Sequence, residues 1–199
     1  MYKSFVLFLV CLACFVSCNN NTSDNTSKET AKSIPVPAKS NLNDTGTAIL
    51  MNVVNKYYDL KNALVKTNPT KADSAANMLA TSTDSLKIFL SNNNNGKDTV
   101  TPYAKLAVYI DTVITQSKIA EAIDDKTCEK QRLVFSTISS AIYGLVKAAG
   151  LKNVAIYQEH CPMAFNEKGA NWLSDDIDIK NPYFGKKMLE CGEVIDSIK

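Results

Sequence analysis

The sequence predicts a mainly α protein, an antiparallel four-helix bundle followed by a small irregular α+β C-terminal segment. Three observations predict it. Apolar residues recur at helical spacing in four consecutive segments between residues 46 and 150. Two of these segments open on a polar residue followed by proline, Asn68-Pro69 and Thr101-Pro102, which is a helix start signal. After Gly150 the character changes: three of the seven glycines, the single histidine and the single tryptophan all fall there.

The first segment carries Leu50, Val53, Tyr57, Leu60 and Leu64, spaced alternately three and four apart and so on one helical face. The second runs from Pro69 with the stripe Ala72, Ala75, Leu79, Leu86 and Leu90, and the polar run Asn92 to Gly96 ends it. In the third, Leu106, Tyr109, Val113 and Ala120 form the stripe. The fourth has Thr127 as its expected N-cap and Glu129 in its first turn, where a negative charge faces the positive end of the helix dipole. It buries Phe135, Ile138, Ile142 and Leu145 and stops at Gly150. Cys128 falls on the same stripe and reads as a small buried hydrophobe. Residues 46–150 are thus the bundle, and residues 151–199 pack with it as one domain.

The last segment predicts little regular structure. Val154 to Tyr157 read as a short strand, Asn181-Pro182 as a turn, Tyr183 to Glu190 as a short helix and Gly192 to Ile195 as a second strand.

Residues 1–18 form a different kind of segment. Lys3 is followed by an apolar run from Phe5 to Val16, too short to span a bilayer and suited to a signal-peptide core. The run ends in Phe15-Val16-Ser17-Cys18, which resembles a lipobox with Cys18 as the lipidated residue. Phe15 is bulkier than the usual leucine there; Cys14 is a weaker acceptor, and a plain secretory signal is the competing reading. From residue 19 to 45 the chain is rich in Asn, Ser and Thr and has few large aliphatic residues, so it cannot bury enough surface to offset its ordering entropy. It reads as a disordered spacer between a membrane and the domain. The expected location is therefore the cell envelope, lipid-anchored and facing the periplasm.

Composition excludes several functions. Hydrophobic residues are 45% of the chain, charged residues 21%, and the net charge is only +2 without basic runs, so no nucleic-acid partner is expected. One histidine disfavours His-rich metal cages and most hydrolytic triads. Asp175, Asp176 and Asp178 form an acidic cluster near Glu159 and Glu167, but a charge run in a loop is ordinarily solvated. With no nucleophile–base pair the chain is not expected to be an enzyme.

The candidate chemistry is sulfur. Cys161 and Met163, separated by Pro162, share one side if the chain there is extended. Met188 and Cys191 share one face if theirs is a helical turn. Each pair offers a thiolate and a thioether, the soft donors that select Cu(I) and, by the same logic, Ag(I). His160 is a lesser candidate ligand, because in a regular strand it points away from Cys161. The competing reading is a Cys161–Cys191 disulfide in an oxidising compartment, closing a loop worth about 3–4 kcal/mol. The two states can alternate, since a reduced pair binds metal and an oxidised pair does not.

The order HCPMA, KGANWLS, NPYFG and MLECG, with Gln131-Arg132 and the stretch Tyr58 to Leu64, resembles the bacterial domain of unknown function 3347 family. Members of that family occur as small lipoproteins and attached to periplasmic adaptor subunits of copper and silver efflux pumps. The resemblance therefore implies an envelope context and a partner in a metal efflux adaptor or pump. Cys161-Pro162-Met163 also resembles a short heavy-metal motif, Cys-Pro-Met-His-Pro, with Ala164 in place of its histidine. The expectation is a lipoprotein that captures or hands over Cu(I) or Ag(I) through Cys161, Met163, Met188 and Cys191. Trp172, Tyr183 and Phe184 would wall the site or fill a small core. The alternative is an interaction module of the envelope, stapled by a disulfide and binding no metal.

Overall fold

A computed structural model describes residues 37–93 and 102–199. The signal segment, Cys18, most of the predicted spacer and Thr101 lie outside the described residues. Four helices come first: α1 (Asp44–Val65), α2 (Pro69–Asn92), α3 (Pro102–Glu121) and α4 (Glu129–Ala148). Each packs on the next, and α4 returns to α1. The three-residue connection between α1 and α2 forces an antiparallel pair. Three strands follow, β1 (Ile156–Cys161), β2 (Ala170–Ser174) and β3 (Glu193–Ile198). They form an antiparallel sheet in the order β2-β1-β3.

The helices bury the faces that the spacing predicts. All five stripe residues of α1, all five of α2 and the four of α4 are buried. In α3, Leu106, Val113 and Ala120 are buried, while Ile110 takes the inward place beside a half-buried Tyr109. The Asn68-Pro69 start signal holds, and Asn43 caps α1 in the same way. Asn43 Oδ1 accepts from Gly46 N at 2.9 Å, and Asn68 Oδ1 accepts from Lys71 N at 3.0 Å, with Pro69 in the first turn.

The start of α4 differs from expectation. Its N-cap is Cys128, not Thr127, and Cys128 is in the left-handed region with φ 60°. Cys128 is fully buried, as expected, but at the cap rather than on the helical stripe. The capping acceptor comes from further back: Asp125 Oδ2 accepts from Lys130 N at 2.8 Å, and Oδ1 accepts from Thr127 N at 2.9 Å. These bonds hold the Asp125 carboxyl at about 2, below its usual 3.8. An acceptor five residues before its donor is outside the cap spacing that sequence patterns test.

Residues 39–43, placed in the spacer by composition, belong to the domain. Lys39 pairs with Lys152 through two backbone hydrogen bonds of 3.1 and 2.8 Å, and Asn41 N donates to Ala149 O at 2.8 Å. This short segment runs along the end of α4 and leads straight into the Asn43 cap.

The C-terminal segment is more regular than predicted. The first strand begins later, at Ile156, and runs to Cys161. Ala170–Ser174 of KGANWLS, which carried no strand expectation, form β2. The expected helix at Tyr183 to Glu190 reduces to one 3-10 turn at Gly185–Lys187, and the last strand runs Glu193–Ile198 rather than Gly192 to Ile195. Two side chains tie this segment to the bundle. Tyr57 stacks on Phe135, and its buried hydroxyl sits 2.8 Å from Ser139 Oγ while accepting from Leu173 N at 2.9 Å. Arg132, buried in α4, donates to Pro182 O at 2.8 Å, to Leu64 O at 3.0 Å, to Thr127 O at 2.8 Å and to Thr67 Oγ1 at 2.9 Å. One guanidinium thus fastens the loop before the 3-10 turn to the end of α1 and the start of α4, because its planar fork offers several donors at once.

Candidate functional site

The sheet register sets which residues meet. Cross-strand partners share a face, and alternate residues on a strand do too. Glu159 pairs with Trp172 and Cys161 with Ala170, so Glu159, Cys161 and Trp172 lie on one face. His160 pairs with Asn171 on the opposite face. Its Nδ1 is in hydrogen-bonding contact with Asn171 Oδ1. Its ring lines a surface hollow of about 470 Å³ with Ser136, Ser140 and Lys168. The structure therefore keeps His160 away from the Cys161 side chain, as regular strand alternation predicts.

Cys161 and Cys191 do meet. Their sulfurs are 3.1 Å apart, with Cys161 fully buried and Cys191 half-buried. Neither is in a disulfide. The chain from Cys161 leaves by a turn through Asn166, runs up β2, and returns by an irregular loop to the far side of β1. Two local devices bring it back. Asn181 Nδ2 donates to Cys191 O at 2.6 Å, and Asn181 N donates to Leu189 O at 2.7 Å, so a buried asparagine clamps the returning strand. Gly192 then passes so close to β1 that a Cβ there would lie 2.8 Å from His160 O and 2.8 Å from Trp172 Cη2. Its φ of 150° is also one that side chains disfavour. The Cys161 thiol, in hydrogen-bonding contact, pushes the Cys191 thiol up, and burial adds to this.

The methionines are placed differently. Extended chain was expected through Cys161-Pro162-Met163, but β1 ends at Cys161 and Met163 is in the right-handed helical region. A left-handed turn of Phe165, Asn166 and Glu167 follows, with φ of 54°, 59° and 65°. Cys161 and Met163 therefore do not project side by side. Met188 and Cys191 are not on a helical turn either: Met188 has φ −148°, and Cys191 N donates to Met188 O at 3.2 Å across a tight turn. Met163 and Met188 instead line one surface cleft of about 580 Å³ together with Phe165, Tyr183 and Phe184. Neither cysteine lines it. Among the described residues, no three His, Cys, Asp or Glu side chains are grouped to hold a metal ion. The donor set is a thiol pair with one member in the interior, and two thioethers that line one surface cleft.

Of the aromatic residues expected at the site, Trp172 and Tyr183 pack edge to face at 5.8 Å, and Tyr183 also meets Phe165 at 5.2 Å. The acidic cluster is partly absorbed by structure: Asp176 pairs with Lys180 at 2.7 Å, and Asp175 lies 3.5 Å from Lys61.

Sequence reasoning missed a buried ionisable group next to the thiols. Glu159 is fully buried, and neither carboxylate oxygen has a partner in hydrogen-bonding geometry. The Trp172 indole is near enough to lower its pKa, yet Trp172 Nε1 also lacks a partner in that geometry. Burial dominates and pushes Glu159 up to about 7; the positive charge of Lys61 only partly offsets this. Lys61, on α1, is itself buried, lies 3.2 Å from Ser174 Oγ, and is pulled below its usual value by burial. A glutamate in a six-residue strand gives no sequence signal for such burial, because strand faces are assigned only once the register is known.

The family model described as "Protein of unknown function (DUF3347)" matches residues 53–154, just over half of the chain. The chain belongs to the DUF3347 family. No curated protein and no solved structure matches it. The DUF3347 match covers most of the bundle and ends before β1, so the thiol pair, the thioether cleft and Glu159 all lie beyond the matched span. Among the described residues, no helix of this DUF3347 chain is long and apolar enough to cross a membrane.

Proposed function

We propose that this chain is an envelope lipoprotein that captures a soft monovalent ion, Cu(I) or Ag(I), on the Cys161–Cys191 thiol pair for handover in efflux or resistance. The observation that carries this reading is the 3.1 Å approach of two sulfurs from strand and loop segments far apart in sequence. Two thiolates are a sufficient soft donor set for a monovalent ion, and the same set rejects Mg²⁺ and Ca²⁺. The pair must open from its present contact to admit an ion between the sulfurs. Half-exposure of Cys191 on a loop makes it the partner that moves. The proposed anchor at Cys18 and the spacer would hold the site near a membrane, where an efflux adaptor or pump component is the fitting recipient.

The test is anaerobic Cu(I) titration of reduced protein against a competing chromophoric chelator. One equivalent bound tightly, and lost in the Cys161→Ser, Cys191→Ser double variant, supports the reading; equal binding by that variant overturns it.

A second reading has its own observation. Cys161 is wholly buried and the methionines face elsewhere, as suits a structural disulfide in an interaction module without metal. Intact-mass measurement after thiol alkylation of protein from the native envelope separates the two. A Cys161–Cys191 bridge resistant to mild reductant favours this second reading.

A further inference from the structure

We propose that Met163 and Met188 form a separate surface binding site for a soft monovalent ion, a thioether pair on which the ion is held before it passes to the thiol pair. This rests on the proposed capture function and adds an entry site to it.

The placement argues for two sites rather than one shell. Both methionines line the same cleft, and neither cysteine does. Met163 is 47% exposed, so its side chain is open to an ion arriving from solvent. Each thioether is nevertheless close along the chain to one thiol: Met163 lies two residues past Cys161, and Met188 sits across the turn whose closing hydrogen bond is Cys191 N to Met188 O. Cys161 is fully buried, so of the two thiols only the half-buried Cys191 is open to an incoming ion, and a surface site nearby would hold that ion until the pair opens.

The cleft suits this role. Methionine has three rotatable side-chain bonds and a polarizable sulfur, so two such side chains lining one cleft can adapt to a soft ion. Thioethers are neutral and carry no proton, so loading here displaces only water. Phe165, Tyr183 and Phe184 give the cleft an apolar lining that does not compete for a soft ion. Glu129 and Glu167 line the same cleft and favour cation entry, opposed by Arg132 and Lys187. Arg132 is already committed to four hydrogen-bond acceptors behind the cleft.

In the transfer, two metal–thioether bonds break and two metal–thiolate bonds form. The two thiols release their protons to solvent, and no electron moves. Met163 is in the right-handed helical region just after β1 ends, so the chain leaves the sheet there, and the three successive non-glycine residues with positive φ that follow carry it away from β1.

The probe is Ag(I), which stays monovalent in air. Protein carrying [methyl-13C]methionine is titrated with Ag(I), as wild type and as the Cys161→Ser, Cys191→Ser variant. Met78, 48% exposed on α2, is the internal control. The expected result is that the Met163 and Met188 methyl signals shift in the serine variant while Met78 does not. In a second measurement, Met163→Leu, Met188→Leu protein is loaded from a thiol-bound Ag(I) donor. It should reach the same final occupancy as wild type but roughly tenfold more slowly. No shift at either methionine in the serine variant, or a shift equal to that of Met78, overturns the proposal, as does an unchanged loading rate. Failure of the capture function has a different signature: thioether shifts persist, but the wild type binds no more Ag(I) than the serine variant.

Discussion

Replacing Glu159 with glutamine should make the protein more stable, and more so as the pH rises. The buried carboxyl has its pKa raised from 4.5 to about 7, chiefly by burial. Between those values the folded chain holds a proton that the unfolded chain has lost, so stability falls as pH rises through this window. The penalty is absent below 4.5 and complete above 7. At 1.36 kcal/mol per pH unit, a change from 4.5 to about 7 amounts to about 3 kcal/mol. Glutamine keeps the shape, cannot ionise and removes this component. The assay is urea unfolding of wild type and Glu159→Gln at pH 4.5, 6 and 8, followed by helical circular dichroism. Comparing the two proteins at each pH cancels every other titrating group to first order. The stability difference should move by about 3 kcal/mol in favour of the variant between pH 4.5 and 8. A difference that stays constant to within about 0.5 kcal/mol refutes the reasoning, because it means the carboxyl titrates alike in both states. The opposite sign would mean that Lys61 holds Glu159 ionised and that the pair, not the burial, governs the site.

Four further outcomes follow from the same contacts. Arg132→Met should cost about 3 kcal/mol or more, since it leaves the buried carbonyls of Pro182 and Leu64 without their donor; amide exchange should quicken around residues 181–187. Tyr57→Phe leaves Leu173 N and Ser139 Oγ unpaired in the interior and should cost about 1–3 kcal/mol by urea unfolding, whereas Tyr109→Phe, at a half-buried position, should cost less. Gly192→Ala places a Cβ 2.8 Å from His160 O, so Cys191 should be displaced and air oxidation of the thiol pair slowed, as read by thiol alkylation and mass. Asp125→Asn should lower stability near neutral pH and remove a pH dependence: the Asp125 carboxylate, held at about 2, contributes above 3.8 and loses that contribution as pH falls toward 2.

The bundle was legible because its information is local. A stripe such as Leu50, Val53, Tyr57, Leu60 and Leu64 repeats with the period of the helix itself, and Asn68-Pro69 states a helix start in two residues. Such signals need no partner to be read, and the helices they predict are the helices observed. The cap of α4 was read one residue early, because Asp125 reaches its donor from outside the local pattern.

The candidate site was legible only as a set of residue types. Cys161, Met163, Met188 and Cys191 were singled out as sulfur ligands, and the sequence left their grouping open between two alternatives. Local geometry suggested pairing each cysteine with its neighbouring methionine, against the competing Cys161–Cys191 pairing; the fold brings the two cysteines together and sets both methionines in one cleft. The reason is that β1 stops at Cys161 and a left-handed turn redirects the chain, while Gly192 and the Asn181 clamp return Cys191 to β1 from thirty residues away. Glu159 makes the same point from the other side. Its charge is written in the sequence, but its burial depends on strand register and on the loop that covers the sheet. The sequence by itself therefore determined the helices, the sulfur chemistry on offer and the family; the tertiary structure alone decided which sulfurs meet, because a contact between residues far apart in the chain is a property of packing and not of any local period.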